Sequence, residues 1–410
     1  MRQPVVAMKS DFVRRNISLL EDDTFKEGMT NKVAKIILCS YFDIFPVRSA
    51  DQDAVFSIIK GIDPGRRMVI QRKYENIAEN VVAIGNGKTV EGFRKILSVL
   101  MFNLSLFLRI HRLTREEGKI IVISTKFHLT PSLIFISKLM NTRWISVFLD
   151  SFIAYKKSPY DKNPYSIPMP VLKAFEWLTY MFSDRVYLNS TYEINAVRSK
   201  VPKYADKIRR TPLHSGMILC TKGNKKSSER ESFLAKLELP LDAMVVSFHG
   251  NFAENRQSSE AALYVINVLS RTIDPSRDIC FIIIGNGLNV PPRPAKNVRY
   301  LGYVDDLCTV LSYCDVEVAP LVGGSGIKMK ILDALSVGLP VLTTEDGARG
   351  FVEPNPIIVS KLEDFPTKLL ELLSSRDSLE KLRFESRRYA ELYYSPNSEV
   401  EKVISELTKD

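Results

Sequence analysis

Four glycine-rich turns in the second half of the sequence hold the residue types best suited to chemistry: His249-Gly250-Asn251, Gly285-Asn286-Gly287, Gly323-Gly324-Ser325-Gly326 and Gly347-Ala348-Arg349-Gly350. Each follows a short β-rich run, and in open parallel sheets ligands bind beyond the carboxyl ends of the strands. The most informative stretch is residues 319–344, APLVGGSGIKMKILDALSVGLPVLTT. It reads as strand end, glycine turn, amphipathic helix, glycine stop and second strand. A helix beginning near Ser325 would aim free backbone N–H groups and its positive dipole end at an anion, while glycines let that anion approach the backbone. Lys328 falls in the first turn of that helix, where a cation opposes the dipole unless an anion is bound. A phosphate resolves the conflict. Asp333, five residues on, offers a carboxylate to sugar hydroxyls.

Other chemistries find less support. Neither Gly85-Asn86-Gly87 nor Gly285-Asn286-Gly287 completes G-x-G-x-x-G, because Val90 and Val290 occupy the last position, so a dinucleotide cofactor is not expected. There is no P-loop and no serine nucleophile elbow. Asp51-Gln52-Asp53 has the form of a DxD metal motif, but no clear strand leads into it; no metal is expected. The five cysteines, Cys39, Cys220, Cys280, Cys308 and Cys314, form no CxxC pair, which argues against zinc and suits a reducing compartment.

These residues need elements to position them. From Lys32 onward, β-rich runs alternate with helix-length segments, the pattern of βαβ units. In the first half, strands are expected at 33–39, 81–84, 120–124, 144–149 and 185–188, with helices at 90–115, 131–140, 171–182 and 191–200. In the second half, strands are expected at 244–248, 280–284, 298–301, 316–319, 340–343 and 357–359. The polar segment TKGNKKSSERES separates the halves. The expected fold class is α/β, two Rossmann-like parallel-sheet domains. Residues 1–30 read as an N-terminal extension without a signal-peptide core, 31–216 as the first domain, 217–240 as a linker, 241–390 as the second domain and 391–410 as a C-terminal helix. Pro396 bends that helix, so that it can cross back to the first domain.

The segment around Lys328 resembles the donor-site motif of the GT-B glycosyltransferases of the glycosyl transferases group 1 superfamily, family 4. It is most similar to members with G-x-G-I-K-x-K-I-L-E-A-L in place of E-G-F-G. The resemblance extends through Phe248-His249-Gly250-Asn251, the turn after 281–284, Leu301-Gly302-Tyr303-Val304-Asp305-Asp306 and Tyr313-Cys314-Asp315-Val316-Glu317-Val318-Ala319-Pro320. It covers about 244–352 well and the first half only by layout.

The resemblance implies two domains facing across a cleft and a retaining transferase without bound metal or other cofactor, using a nucleotide diphosphate sugar as co-substrate. In the family, two glutamates flanking seven residues contact the donor. Asp333 takes the position that grips the nucleotide ribose, and Ser325 the position beside the transferred sugar, where serine supplies no negative charge. Lys328, with the N–H groups around Gly326 and Ile327, then looks like the diphosphate clamp, and Gly250, Asn251 and Gly285 complete the donor side. Family members often place a histidine of the first domain near the reacting sugar, which points to His128, with Asp150 as a second candidate. His249 can approach the donor or simply pack in its loop. Other GT-B activities, an inverting transferase or a nucleotide-sugar epimerase, stay open, as does a catalytically weakened homologue that binds sugar nucleotide or a protein partner.

The chain has 57 Lys plus Arg against 47 Asp plus Glu, a net charge of +10, which favours an anionic partner. Basic residues are scattered among acidic ones and no RNA-binding signature occurs, so nucleic acid is not expected. The apolar run 96–110 is interrupted by Ser98, Asn103, Ser105 and Arg109 and is too short to span a bilayer. Arg94, Lys95, Arg109, His111 and Arg112 flank it. A buried helix is the plainer reading, and a helix lying on anionic lipid the other. The expected setting is cytoplasmic and peripheral at the inner face of a membrane, with a glycan or lipid-linked glycan as acceptor.

Overall fold

The computed structural model of the chain describes residues 35–40, 67–71, 81–83, 93–117, 120–125, 129–140, 142–148, 151–154, 168–211, 215, 217, 227–253, 255–274, 278–289, 295–323 and 326–395. They separate into two units, one within residues 1–213 and the other within 214–395.

The first unit is a parallel sheet of β1 (Lys35–Ser40), β2 (Arg67–Gln71), β3 (Val81–Ala83), β4 (Ile120–Thr125), β5 (Thr142–Phe148), β6 (Arg185–Leu188) and β7 (Ile208–Arg210), in the order β3-β2-β1-β4-β5-β6-β7. Every residue of β4 is buried, as expected of a central parallel strand covered on both faces. Helices α1 (Phe93–Glu117), α2 (Thr130–Leu139), α3 (Met169–Phe182) and α4 (Thr191–Lys200) connect the later strands. Leu106 and Ile110 of α1 and Leu133 of α2 pack on Ile37, Val122 and Trp144 of the sheet. Ser190 caps α4 by accepting from the Glu193 N–H, and its hydroxyl donates to the Glu193 carboxylate, a reciprocal pairing that starts the helix at Thr191. The sequence pattern misses β2 and β7. β7 is three residues, two of them arginine, and a short charged strand suits a sheet edge while carrying no apolar signature.

The second unit is also a parallel sheet: β8 (Met244–His249), β9 (Ile279–Ile284), β10 (Val298–Gly302), β11 (Val316–Ala319), β12 (Val341–Thr343) and β13 (Ile358–Val359), in the order β10-β9-β8-β11-β12-β13. Its longer helices are α5 (Ser227–Lys236), α6 (Arg256–Tyr264), α7 (Leu307–Ser312), α8 (Met329–Ser336), α9 (Phe365–Leu373) and α10 (Arg376–Tyr394). Ser375 separates α9 from α10 and caps α10 by accepting from the Ser378 N–H. The expected 1–30 extension, Asp51-Gln52-Asp53, the bend at Pro396 and the crossing of the C-terminal helix lie outside the described residues. Among those residues, no helix is long and apolar enough to cross a membrane.

Candidate functional site at the switch point of the second sheet

Strand order reverses between β8 and β11, which are hydrogen-bonded neighbours whose connections leave in opposite directions. A crevice opens at such a point, beyond the strand ends. Gly250 and Asn251 follow β8 there, and the Gly323–Lys328 segment follows β11. Gly250 donates to the Ile284 carbonyl over 3.0 Å, and Phe252 to the Asn286 carbonyl over 2.9 Å, which binds the turn after β8 to the turn after β9.

The root of the glycine-rich segment is pinned from two sides. Gln257 of α6 donates to the carbonyls of Val322 and Gly323, and the Gly323 N–H donates to Asp346 Oδ2 over 2.7 Å. Asp346 is itself paired with Arg349. The helix does not begin near Ser325, as the sequence suggested. It begins at Met329, and Lys328 is its extended N-cap residue, at φ −86° and ψ 102°. Lys328 therefore precedes the first turn. Its carbonyl accepts from the Ile331 N–H over 2.9 Å. An extended N-cap leaves the following N–H groups pointing outward, so the anion-binding logic survives the shift by a few residues.

Beneath this edge runs a chain of polar side chains in an otherwise apolar interior. Glu317, fully buried in β11, accepts from the Ser247 hydroxyl, from the His249 backbone N–H over 3.1 Å and from His249 Nδ1 over 2.9 Å. On the other side of the ring, His249 Nε2 faces Asp333 Oδ2 of α8 at 3.7 Å. Asp333 Oδ1 accepts from the Ser215 hydroxyl over 2.5 Å. Burial works against a charged His249, but the Glu317 charge, followed by Asp333, outweighs it and lifts the pKa to about 9.

Lys330 completes the cluster. Its Nζ donates to the Ser258 hydroxyl over 2.5 Å, lies 5.0 Å from the centre of the Phe248 ring, and would be 3.1 Å from a Cβ built on Gly250. Burial, and then the neighbouring Lys328, lower its pKa to about 8 against the pull of Glu317 and Asp333.

Of the residues singled out from the sequence, Gly250, Asn251, Gly285, Gly326, Ile327, Lys328 and Asp333 belong to the turns and the helix start at this edge, and Gly326 and Ile327 are buried. Ser325, His128 and Asp150 lie outside the described residues. Sequence reasoning missed Glu317, Lys330 and Ser215. Glu317 had a usable signal, a lone charge inside the apolar run Val316-Glu317-Val318-Ala319. Among the described residues, no group of three His, Cys, Asp or Glu is arranged to hold a metal ion.

Residues 243–375 match the family model described as Glycosyl transferases group 1. No curated protein matches the chain. Among solved structures, HepE of Anabaena, in complex with UDP and glucose, has a TM-score of 0.66 at 13% identity, covering 91% of this chain and 99% of that one. Sucrose-phosphate synthase of Thermosynechococcus elongatus has a TM-score of 0.67 at 13% identity, covering 90% and 98%. WaaG, a glycosyltransferase involved in lipopolysaccharide biosynthesis, has a TM-score of 0.59 at 15% identity, covering 92% and 100%. At these identities the likeness is one of fold, the two-domain GT-B arrangement of parallel sheets. The family match thus covers the second unit alone, and the solved structures give the chain a GT-B fold.

Proposed function

We propose that the chain transfers a sugar, with retention and without a bound metal, from a nucleoside diphosphate sugar to the hydroxyl of a glycan or lipid-linked glycan. The observation that carries this reading is the convergence of glycine turns, an open helix start, Lys330 and Asp333 at the switch point of the second sheet. The N–H groups of Gly326 and Ile327, with Lys328 and Lys330, supply positive potential to the diphosphate. Fixed charge aimed at a departing anion stabilises the transition state more than the ground state. Asp333 accepts hydrogen bonds from the nucleotide ribose, while Gly250, Asn251 and Gly285 let the donor approach the backbone. Ser325 stands beside the transferred sugar as a neutral group, and His128 of the first domain serves the reacting centre. Binding of UDP by HepE makes UDP the first probe. A thermal-shift series with UDP, GDP, dTDP and their sugars tests the reading, since a ligand at 100 times its dissociation constant adds about 2.7 kcal/mol. No shift with any of them would overturn it.

A cytoplasmic chain resting on the inner face of an anionic membrane is the second part of the reading. It is supported by α1, where Leu100, Met101, Leu104 and Leu108 are each more than half exposed. These positions recur at helical spacing along one side, residues 96–108 contain no charge, and Arg109, Arg112 and Arg115 follow. Phe135 and Leu139 of the neighbouring α2 are exposed as well. An outward apolar stripe ending in arginines suits a helix seated at a lipid interface.

A further inference from the structure

The imidazole of His249 is the one ring nitrogen pair in the described core that lies between two carboxylates, and its two sides are unequal. Nδ1 is committed to Glu317 at 2.9 Å, and the same carboxylate also takes the His249 backbone N–H and the Ser247 hydroxyl. Glu317 is therefore held by three donors and fixes the ring plane. Nε2 is buried and has no hydrogen-bond partner, yet it points at Asp333 Oδ2 from 3.7 Å. A buried ring nitrogen left without a bond is costly unless charge or a later contact compensates it. The other oxygen of Asp333 is taken by the Ser215 hydroxyl at 2.5 Å. Asp333 is only partly buried, its side chain 19% exposed, so the carboxylate is not closed off from solvent.

We propose that His249 is a positioning residue: its ring, locked by Glu317, holds Asp333 at the angle from which that carboxylate meets the ribose of the donor. The proposal rests on the donor-site reading above and adds to it the part that aims the carboxylate. His249 itself touches no donor atom. The charged groups facing this cluster are Glu317 from β11 and Asp333, Lys330 and Lys328 from α8 and its cap. A protonated ring between two carboxylates offsets their mutual repulsion, whereas a neutral ring would leave it in place. The pKa of about 9 agrees with the geometry.

Two measurements decide it. The first is nitrogen NMR of histidine-labelled protein; there are four histidines, and His249 is assigned by the signal missing from His249→Gln. Both ring nitrogens should be protonated at pH 7.5, and Asp333→Asn should lower the midpoint of that titration. A neutral His249 at pH 7.5 overturns the proposal whatever the ligand. The second is a double-mutant cycle on nucleotide binding by calorimetry, with UDP, GDP and dTDP as probes. His249→Gln should weaken binding about tenfold, the size of a lost charge-assisted contact, and should cost nothing further in the Asp333→Asn background. Losses that multiply would show a merely structural histidine and refute the role assigned to it. Wild-type protein that binds none of the three nucleotides would refute the donor-site reading, and the proposal with it. His249→Asn serves for the cycle where His249→Gln does not fold.

Discussion

Gly285 packs so closely on Gly250 that a Cβ built on Gly285 would lie 1.8 Å from the Gly250 carbonyl oxygen. Gly285 also has φ +139°, a conformation that side-chain-bearing residues rarely adopt. The turns after β8 and β9, on one side of the switch point, are thus interlocked through backbone. Gly285→Ala should cost about 1 to 3 kcal/mol and weaken nucleotide binding along with stability. Gly302 has φ +66° but nothing within 4 Å, so Gly302→Ala should cost about 1 kcal/mol for its backbone alone. Urea denaturation of the two variants separates these effects; equal losses would mean that the close approach is relieved by movement.

In the proposed site, Lys328 and Lys330 share the diphosphate. Lys328→Ala should lower kcat/KM about 10 to 150-fold, the range of one charged hydrogen bond, with the fold intact. Lys330 carries its charge below about pH 8 and sheds it above. Transfer should therefore decline as pH rises through 8. Lys330→Arg, charged throughout, should move that decline to higher pH. An unchanged profile would assign the decline to another group.

In the first unit, the loop Ser151–Ala154 after β5 is fastened by two buried carboxylates. Glu176 accepts from Ser151 Oγ, Tyr180 Oη and the Ile153 N–H, and Glu193 accepts from the Ser151 N–H. Burial raises the Glu176 pKa from 4.5 to about 7, although hydrogen bonds from Ser151 and Tyr180 oppose the shift. The folded chain then holds a proton that the unfolded chain releases near 4.5. The associated stability is complete below that value and is lost as pH rises through about 7. Thermal unfolding at fixed ionic strength should show this decline between about pH 4.5 and 7, and Glu176→Gln should flatten it.

Co-sedimentation with vesicles tests the apolar stripe of α1. Vesicles containing anionic phosphatidylglycerol should capture more protein than neutral phosphatidylcholine at low salt. Capture should fall with added salt, since each Lys or Arg near the surface contributes about 1 kcal/mol, screened over about 8 Å at physiological ionic strength. Leu104→Glu and Leu108→Glu face outward and should abolish capture while leaving nucleotide binding unchanged. Equal capture by both vesicle types would remove the membrane from the reading.

Transfer should persist in excess chelator, because Lys328, Lys330 and backbone N–H groups meet the diphosphate in the proposed site. Loss on chelation, restored by magnesium or manganese, would replace that arrangement with a metal-bridged diphosphate.

Strand and helix order was legible because apolar β-rich runs such as Ile120-Ile121-Val122-Ile123 and the glycine stops after helices are local signals. They placed β4, β6, β11 and α4 within a residue. The glycine turns and Asp333 were legible for the same reason, since turn chemistry and helical register extend over a few neighbouring residues. The start of α8 was not: Gln257 and Asp346, residues remote in sequence, fasten Val322 and Gly323 ahead of it, and the helix begins at Met329. Nor could the sequence pair His249 with Glu317 and Asp333, 68 residues separating His249 from Glu317. Only the parallel pairing of β8 with β11 and the docking of α8 bring these charges together, and burial then determines how they titrate.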